Sequence, residues 1–299
     1  MENKIKKILC NLGICNEQSI VPFWPKVRDR DDVSVMKCQK SGVLFLSRSD
    51  HMDYSHYESK QNFKYWGGAK DRNTAILSGH EDNQRRLEQF KSIISNRKWI
   101  DIGTGVGGIL DVLSPFASET LAVEPQKAAR ESLIDIGYNV CASVNDIPDD
   151  DIEVVTLFHV FEHLTDPLRT LKILKNKMSP GPESKIVIEV PHAKDFLISF
   201  LDLNEFKNFS FWSEHLILHT RDSLRVFLEN AGFTEISIVG FQRYPLANHL
   251  YWLAKGEPGG HNIWNHLRTL NLDTAYADML AKIDCTDTLI AVATNNGQG

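Results

Sequence analysis

The middle of the chain alternates short apolar runs with segments of helical period. Apolar runs of strand length lie at residues 99–102, 121–124, 152–158 and 185–190. Ahead of the first run, residues 81–95 place their apolar side chains three and four positions apart, as an amphipathic helix does. This alternation predicts an α/β protein with a parallel sheet and helices on both faces, whose ligand binds at the carboxyl ends of the strands.

A glycine-rich turn, GTGVGG, follows the first run at residues 103–108. Glycines at alternating positions let the backbone bend sharply and let a ligand approach the main chain. Asp101 stands just before the turn, where a nicotinamide-binding fingerprint has a glycine or an apolar residue. Glu124, 23 residues after Asp101, ends the next run, at a position where an acid binds ribose hydroxyls. One carboxylate for a cationic amino acid and one for a ribose predict S-adenosylmethionine as the ligand.

These residues resemble the class I S-adenosylmethionine-dependent methyltransferases, and the resemblance covers roughly residues 80–240. It implies a Rossmann-like, doubly wound, seven-stranded sheet whose last strand is antiparallel. The runs at 236–244 and 286–294 would be its final strands. Residues 245–282 would then be an insertion between them, placed either at the acceptor site or in an oligomer contact.

The resemblance also extends the set of expected cofactor contacts beyond the two acids. The family places an acid or an amide against the adenine amino group after the third strand, where Asn145 and Asp146 stand, although a solvated turn is the alternative there. The full set of expected cofactor-binding residues is Asp101, Gly103, Thr104, Gly105, Glu124, Pro125, Asn145, Asp146 and His159.

Histidines and a glutamate follow the run at 152–158, in the segment His159-Val160-Phe161-Glu162-His163-Leu164-Thr165-Asp166-Pro167. Pro167 suits the first turn of a helix with Asp166 as its cap, which leaves the histidines on a loop beside the cofactor. The segment resembles the Glu-His-Leu/Val-x-Asp-Pro signature of ubiquinone-pathway O-methyltransferases. In some of those enzymes an acid three residues before the Glu-His pair helps to hold a divalent metal. His159 takes that position here, so the set that the resemblance implies is His159, Glu162 and His163, which could hold zinc or another divalent ion. We expect a site without a metal, because this set departs from that of the metal-dependent enzymes.

A second Glu-His pair, Glu214 and His215, comes later in the chain. It is similar to the Tyr-x-Glu-His that surrounds the acceptor in sugar C-methyltransferases, except that Trp212 replaces the tyrosine. Imidazole accepts a proton near neutral pH, so His215 is the first candidate for the catalytic base. Glu214, His159 and His163 are the other catalytic candidates.

The resemblance indicates methyl transfer to a small polar acceptor, a sugar or nucleotide-linked sugar in glycan or secondary metabolite assembly. Oxygen is favoured over carbon as the methylated atom. A quinone or phenol O-methyltransferase is the alternative that residues 159–167 suggest. A nicotinamide-dependent oxidoreductase and a noncatalytic binding protein are alternatives from other classes, and Asp101 disfavours the first of these.

The chain ahead of this core is predicted to be an extension, with the division at 1–79 and 80–299. Two β-rich runs at 33–38 and 43–46, separated by Gln-Lys-Ser-Gly, indicate a hairpin. An aromatic stretch at 54–68 is either a helix packed on the core or, as in related methyltransferases, a lid that closes over the cofactor. A Gly-Gly pair at its end would supply the hinge.

Composition narrows the partners of the 299-residue chain. A net charge of -6 provides no general basic surface for nucleic acid or anionic lipid. No apolar run approaches the roughly 20 residues that span a bilayer, so we expect a cytoplasmic enzyme acting on a small molecule. The cysteines are predicted to be reduced. Cys10, Cys15 and Cys38 with His51 or His56 form only an incomplete version of the zinc module of sugar C-methyltransferases.

Overall fold

A computed structural model describes residues 3–52, 71–148 and 151–297 of the chain. The aromatic stretch at 54–68 lies outside the described residues, so the choice between a packed helix and a lid stays a prediction. His56, one of the two histidines considered for the zinc module, also lies outside them.

The described residues form strands and helices that alternate along most of the chain. The strands are β1 (Ile20–Trp24), β2 (Val35–Cys38), β3 (Leu44–Leu46), β4 (Lys98–Ile102), β5 (Glu119–Val123), β6 (Asn139–Cys141), β7 (Val154–Phe158), β8 (Lys185–Pro191), β9 (Ile217–Leu218), β10 (Thr234–Phe241) and β11 (Thr288–Thr294). The α-helices are α1 (Lys4–Asn11), α2 (Arg72–Ser78), α3 (His80–Ile94), α4 (Gly108–Leu113), α5 (Lys127–Asp135), α6 (Pro167–Lys177), α7 (Phe196–Ser199), α8 (Asn204–Ser210), α9 (Arg221–Asn230), α10 (Leu246–Lys255), α11 (Gly260–Ile263) and α12 (Leu270–Lys282).

A seven-stranded sheet in the order β10-β11-β8-β7-β4-β5-β6 forms the centre of the fold. β11 pairs antiparallel with both of its neighbours. The pairs from β8 through β7, β4 and β5 to β6 are parallel. The predicted Rossmann-like sheet with an antiparallel last strand is therefore confirmed. The strand order reverses between β4 and β7, and a ligand cleft is expected at the carboxyl ends of these two strands.

Both faces of this sheet are buried under helices. Every residue of β7 is buried, as a continuous apolar run in a parallel sheet requires. One face packs against α3, α4 and α5 through residues such as Phe90, Leu113 and Leu133. The other packs against α6 and α9 through residues such as Leu171 and Phe227. Each large apolar side chain buried in this way contributes about 1.5–3 kcal/mol, so these layers are the main source of stability.

The N-terminal extension forms a second sheet, four-stranded and antiparallel, in the order β1-β2-β3-β9. The predicted hairpin is confirmed as β2 and β3. β9 lies far along the chain and joins β3 through the pairs Leu44–Leu218 and Phe45–Ile217. The extension consequently shares one hydrophobic core with the central sheet. The pairing of β9 also fixes the segment that precedes α9, and this segment carries the second Glu-His pair.

The insertion between β10 and β11 is helical and consists of α10, α11 and α12. The two flanking strands pair antiparallel, as predicted. Apolar side chains of the insertion, among them Leu253, Ile263 and Leu270, are exposed on the single chain, so the predicted oligomer contact stays a prediction. Among the described residues, no helix combines the length and the apolar character needed to cross a membrane.

The cysteines of the extension are free thiols. Cys38 is fully buried, with Sγ 3.2 Å from Oγ of Ser19. Nε2 of His51, one of the possible zinc ligands, lies 2.8 Å from the carbonyl oxygen of Ser213 instead. Within the described ranges these cysteines and His51 do not come together as a metal-binding group. Their packing contributes to the small sheet and its contact with the core.

Candidate active site

The loop between β4 and α4 forms one end of a large cavity. Gly103, Gly105 and Gly107 adopt φ angles of +70°, +59° and +76°, in the left-handed region that favours glycine. A Cβ at Gly103 would lie 2.6 Å from Cγ2 of Val160. Glycine at that position therefore allows the loop to pack closely against the segment after β7, and the main chain itself lines the cavity.

Asp101, at the end of β4, lines the same cavity. Its Oδ1 accepts a hydrogen bond of 2.6 Å from Oγ1 of Thr156, and the residue is 2% exposed. Burial raises the pKa of Asp101 to about 6 because the charged form loses its hydration. A cationic ligand group placed beside this carboxylate would compensate the buried charge.

Glu124, at the end of β5, ties the glycine loop to the next strand. Oε2 accepts a hydrogen bond from the N–H of Gly105, and Oε1 accepts one from the N–H of Gln126, both at 2.7 Å. Burial raises the pKa of Glu124 to about 7. Thr104 and Pro125 lie on the cavity wall beside it. Both acids that the sequence indicated therefore reach one wall of the cavity.

The expected adenine contacts, Asn145 and Asp146, face solvent and do not line the cavity. Oγ of Ser143 accepts a hydrogen bond of 3.0 Å from the N–H of Asn145. This cap starts a single 3-10 turn that carries both side chains outward. The cavity wall at this point is formed by Ala142, Ser143 and Val144. The structure therefore does not bring Asn145 and Asp146 to the cavity where the cofactor was expected.

His159 lies on the cavity wall directly after β7, with a φ angle of +55°. Nδ1 lies 3.3 Å from Oε1 of Glu162, and Nε2 lies 3.1 Å from Oε1 of Glu189. Burial and the charge of Arg243 lower the pKa of His159, but hydrogen bonds to the two carboxylates outweigh them and raise it. Nη1 of Arg243 also lies 3.1 Å from Nε2, so charged groups surround the ring of His159, and its place among the catalytic candidates stays a prediction.

Glu189 is completely buried in β8, and a network of arginines compensates its charge. Nη2 of Arg85 and Nη2 of Arg86, both on α3, lie 2.9 and 2.6 Å from Oε1. Burial raises the pKa of Glu189, but Arg86 and His159 together hold it well below its usual value. The sequence indicates Glu189 as a carboxylate inside an apolar strand, which needs partners when it is buried, but it does not identify the arginines that supply them.

His163 and His215 lie side by side on the cavity wall, with ring centroids 5.0 Å apart. Nε2 of His163 is 3.7 Å from Oε1 of Glu162, and Nδ1 is 4.0 Å from Oε2 of Glu214. Glu214 is buried and is not among the residues that line the cavity, so His163 lies between it and the cavity. Burial, followed by the charge of His163, lowers the pKa of His215 to about 3. His215, the first choice from the sequence, is therefore a weak base in this environment, and its catalytic role stays a prediction.

The same cluster offers ligands for a metal. The ligand atoms of Glu162, His163 and His215 lie within 4.8 Å of one another. Oε2 of Glu162 is buried without a hydrogen-bond partner among the described residues. One carboxylate and two imidazoles suit zinc and other divalent ions, so these residues fit a metal. The set differs from the one the resemblance implied, because Glu189 engages His159 and His215 supplies the third ligand.

The cavity continues beyond the histidines to the insertion and has a volume of about 1060 Å³. This is the upper end for a single small ligand, which leaves room for an acceptor beside the cofactor. The lining beyond the histidines combines aromatic and polar side chains, among them Phe206, Phe209, Trp212, Trp252, Asp195, Asn248, His261 and Asp287. Asn248 and Trp252 belong to α10, so the insertion forms part of the cavity wall.

The sequence does not single out two carboxyl groups in this half, of which Asp195 is buried and Asp287 is partly buried. Oδ1 of Asp195 accepts a hydrogen bond of 2.7 Å from the N–H of Leu197 and caps α7. Asp287 accepts hydrogen bonds from the N–H groups of Arg243 and Tyr244. Burial and then the charge of Asp287 raise the pKa of Asp195 to about 7. The only signal in the sequence is that each acid lies next to a predicted strand, a position that many solvated turns share.

Comparisons with known proteins agree with this geometry. Residues 80–238 match the family model of a methyltransferase domain. The chain is 23% identical over 228 residues to the ubiquinone biosynthesis O-methyltransferase of Stutzerimonas stutzeri, which covers 68% of this chain and 92% of that protein. Its fold is similar to that of a SAM-dependent methyltransferase from Archaeoglobus fulgidus, with 20% identity and a TM-score of 0.52. The match covers 77% of this chain and 96% of that chain. The fold is also similar to that of a chain in the complex between the Haloferax volcanii Trm112 methyltransferase activator and a methyltransferase. That match has 13% identity and a TM-score of 0.52, and it covers 82% of this chain and 99% of that chain.

The sheet order, the glycine loop and the two acids at the ends of neighbouring strands define an S-adenosylmethionine-dependent methyltransferase of class I. The family model spans more than half of the chain. This chain belongs to the methyltransferase domain family. S-adenosylmethionine is its methyl donor, and a small molecule is its acceptor.

Proposed function

We propose that the enzyme transfers the methyl group of S-adenosylmethionine to a hydroxyl group of a sugar or nucleotide-linked sugar, in glycan or secondary metabolite assembly. The observation that carries this proposal is the continuous cavity, which leads from the acids of the cofactor half to a mixed aromatic and polar lining. Aromatic faces stack on sugar rings, and carboxyl and amide groups bind hydroxyls. The similarity of Glu214 and His215 to the sugar methyltransferase motif supports the same acceptor class.

In this proposal the cofactor lies along the ends of β4 and β5. Asp101 binds the ammonium group of the methionine part, and Glu124 binds the ribose hydroxyls. The glycine loop accommodates the close approach of the cofactor to the main chain, with Thr104 and Pro125 beside it. The adenine ring lies toward residues 142–144, which replaces the contacts first expected from Asn145 and Asp146.

The transfer itself needs alignment and a proton acceptor, since the sulfonium methyl group is already electrophilic. The acceptor oxygen forms a bond to the methyl carbon while the carbon–sulfur bond breaks, and sulfur keeps the electron pair as a neutral thioether. The hydroxyl proton passes to His163. Glu162 and Glu214 lie close enough to stabilise the imidazolium that results. His215 packs beside it and orients the ring.

A divalent ion would use the same side chains in another way. Held by Glu162, His163 and His215, it would polarise the acceptor hydroxyl and lower the pKa of that group. We favour transfer without a metal because His159 stands where the metal-dependent relatives have an acid.

A quinone or phenol acceptor is the second possibility. It is supported by the similarity to the ubiquinone biosynthesis O-methyltransferase at 23% identity. The aromatic part of the lining also suits a flat ring. The carboxyl groups of Asp195 and Asp287 on the cavity wall favour a hydroxyl-rich acceptor over a quinol.

The acceptor class can be tested by calorimetry on protein saturated with S-adenosylhomocysteine. Titration with a uridine diphosphate sugar, a free sugar and catechol should give binding for one of the first two and none for catechol. Trp252→Leu should weaken that binding about tenfold through the loss of ring stacking. Trp264→Leu is the control, because Trp264 packs on Tyr251 outside the cavity. Binding of catechol alone would replace the sugar proposal with the quinol one.

A further inference from the structure

The N-terminal extension contributes an arginine to the acceptor half of the cavity. Arg28, on the turn between β1 and β2, lines the wall beside Phe209 and Trp212. Its Cζ lies 4.7 Å from the centre of the Trp212 ring and 5.4 Å from that of Phe209. Nη1 donates a hydrogen bond of 3.2 Å to the carbonyl oxygen of Phe209. Stacking on the two rings and this hydrogen bond orient the guanidinium in the cavity.

The turn that carries Arg28 is itself fixed to the cavity wall. The N–H of Arg28 donates to the carbonyl oxygen of Phe211 at 2.9 Å. Asp29 accepts hydrogen bonds from the N–H of Ser213 at 3.0 Å and from its Oγ at 2.6 Å. These contacts set the register of the turn against the residues that lead to His215. These bonds therefore fix the backbone of Arg28 against the cavity wall, while the side chain keeps its exposure to solvent.

The charge of Arg28 is left without a carboxylate. Of the other arginines on the cavity wall, Arg86 pairs with Glu189, and Arg243 pairs with Asp82. Arg28 has no acid partner within residues 3–52, 71–148 and 151–297. A preoriented guanidinium with free N–H groups is a binding group for phosphate or carboxylate oxygens.

We propose that Arg28 forms an anion subsite and that the acceptor carries a phosphate or carboxylate group bound there. This inference rests on the proposed function, because it assigns the same cavity to the acceptor. The wall runs from Arg28 through Trp212 to His215 and His163, with ring centroids 5.5 and 5.0 Å apart along the last two steps. An anion on Arg28 is thus separated from the proposed base by the rings of Trp212 and His215, which meet edge to face. A sugar ring whose phosphate or carboxylate binds Arg28 can present a hydroxyl to His163 across that gap.

The test compares two arginines of one turn. Arg28→Gln removes the charge in the cavity, and Arg30→Gln removes a charge that pairs with Asp32 at the surface. Inorganic pyrophosphate and glucuronate are titrated into protein saturated with S-adenosylhomocysteine. We expect at least one of the two anions to bind wild-type protein and to bind Arg28→Gln about tenfold more weakly, with Arg30→Gln unchanged. Arg28→Lys should recover part of the affinity.

The outcomes separate the subsite from the proposed function. Binding of pyrophosphate alone identifies a phosphate-bearing acceptor, and binding of glucuronate alone identifies a sugar acid. If neither anion binds, or if Arg28→Gln and Arg30→Gln behave alike, the subsite is wrong. The affinity for S-adenosylhomocysteine should be equal in all variants, which also verifies that they fold. Methyl transfer to an uncharged sugar without these anion effects would leave the proposed function standing and remove the subsite.

Discussion

Two buried carboxyl groups, those of Asp101 and Glu124, determine the charge of the cofactor half of the cavity. Asp101 and Glu124 have pKa values raised to about 6 and about 7, because burial disfavours their charged forms. In the proposed binding mode, the ammonium group of the cofactor pairs with the carboxylate of Asp101, and the ribose hydroxyls bind that of Glu124. Cofactor binding must therefore include ionisation of groups that are partly protonated near neutral pH.

The affinity for S-adenosylhomocysteine should consequently rise with pH. Between pH 5 and 7.5 the carboxyl groups lose their protons while the ligand ammonium group keeps its charge, so Kd should fall about tenfold or more. Asp101→Asn should bind about tenfold more weakly and follow a flatter profile. Asp135→Asn, an exposed change on α5, is the control and should match wild type. Calorimetry across this range would contradict the assignment if the wild-type profile were flat.

At the scale of elements, the turn after β1 and the segment after α8 behave as one unit. Asp29 joins them through its two hydrogen bonds to Ser213, and β9 then continues into the small sheet. This arrangement places the extension behind Trp212 and His215. The order of the acceptor wall therefore depends on residues that precede the cofactor-binding core by about seventy positions in the printed sequence.

Asp29→Ala should loosen this wall without affecting the cofactor half. Loss of the hydrogen bonds to Ser213 should cost about 1 kcal/mol of unfolding free energy. The apparent KM for the acceptor should rise several-fold while the affinity for S-adenosylhomocysteine is unchanged. Asp31→Ala is the matched control, because Asp31 only pairs with Lys26 at the surface. Equal KM values for the two variants would show that the turn does not support the acceptor wall.

The strands differ in how well the local sequence pattern predicts them. β7 and β8 are long apolar runs buried on both faces, so a local pattern predicts them. β9 has two residues, too few for any periodicity, and only its tertiary pairing with β3 makes it a strand. The same limit applies within the site. The glycine loop and Asp101 are local features, whereas the outward turn of Asn145 follows from the cap by Ser143.

At the scale of the whole molecule, one cavity joins the extension, the carboxyl ends of the strands and the insertion. The choice between His163 and His215 is made at this scale, because burial by several elements lowers the pKa of His215 to about 3. Burial of a polar side chain depends on which segments pack over it, and a linear motif does not record that. The sequence indicated histidines that the fold does bring to one cavity wall, and the choice of base among them stays a prediction.

The histidine cluster should work without a divalent ion. Dialysis of the enzyme against a chelator should leave kcat unchanged, because His163 is proposed to take the proton itself. Mock dialysis without chelator is the control. Loss of activity that zinc restores in wild type, together with loss of zinc binding in Glu162→Gln, would assign Glu162, His163 and His215 to a metal and remove the base from the mechanism.

The central claim, methyl transfer to a sugar hydroxyl with His163 as the base, is tested most directly by following the methyl group. The enzyme is supplied with methyl-labelled S-adenosylmethionine and a panel of nucleotide sugars, free sugars and quinols, and the product linkage is read by carbon NMR. We predict an O-methyl sugar, formed at least about 100-fold more slowly by His163→Asn but not by the exposed control His266→Asn, with equal affinities for S-adenosylhomocysteine. Label on a quinol or on carbon, or full activity of His163→Asn, would contradict the account.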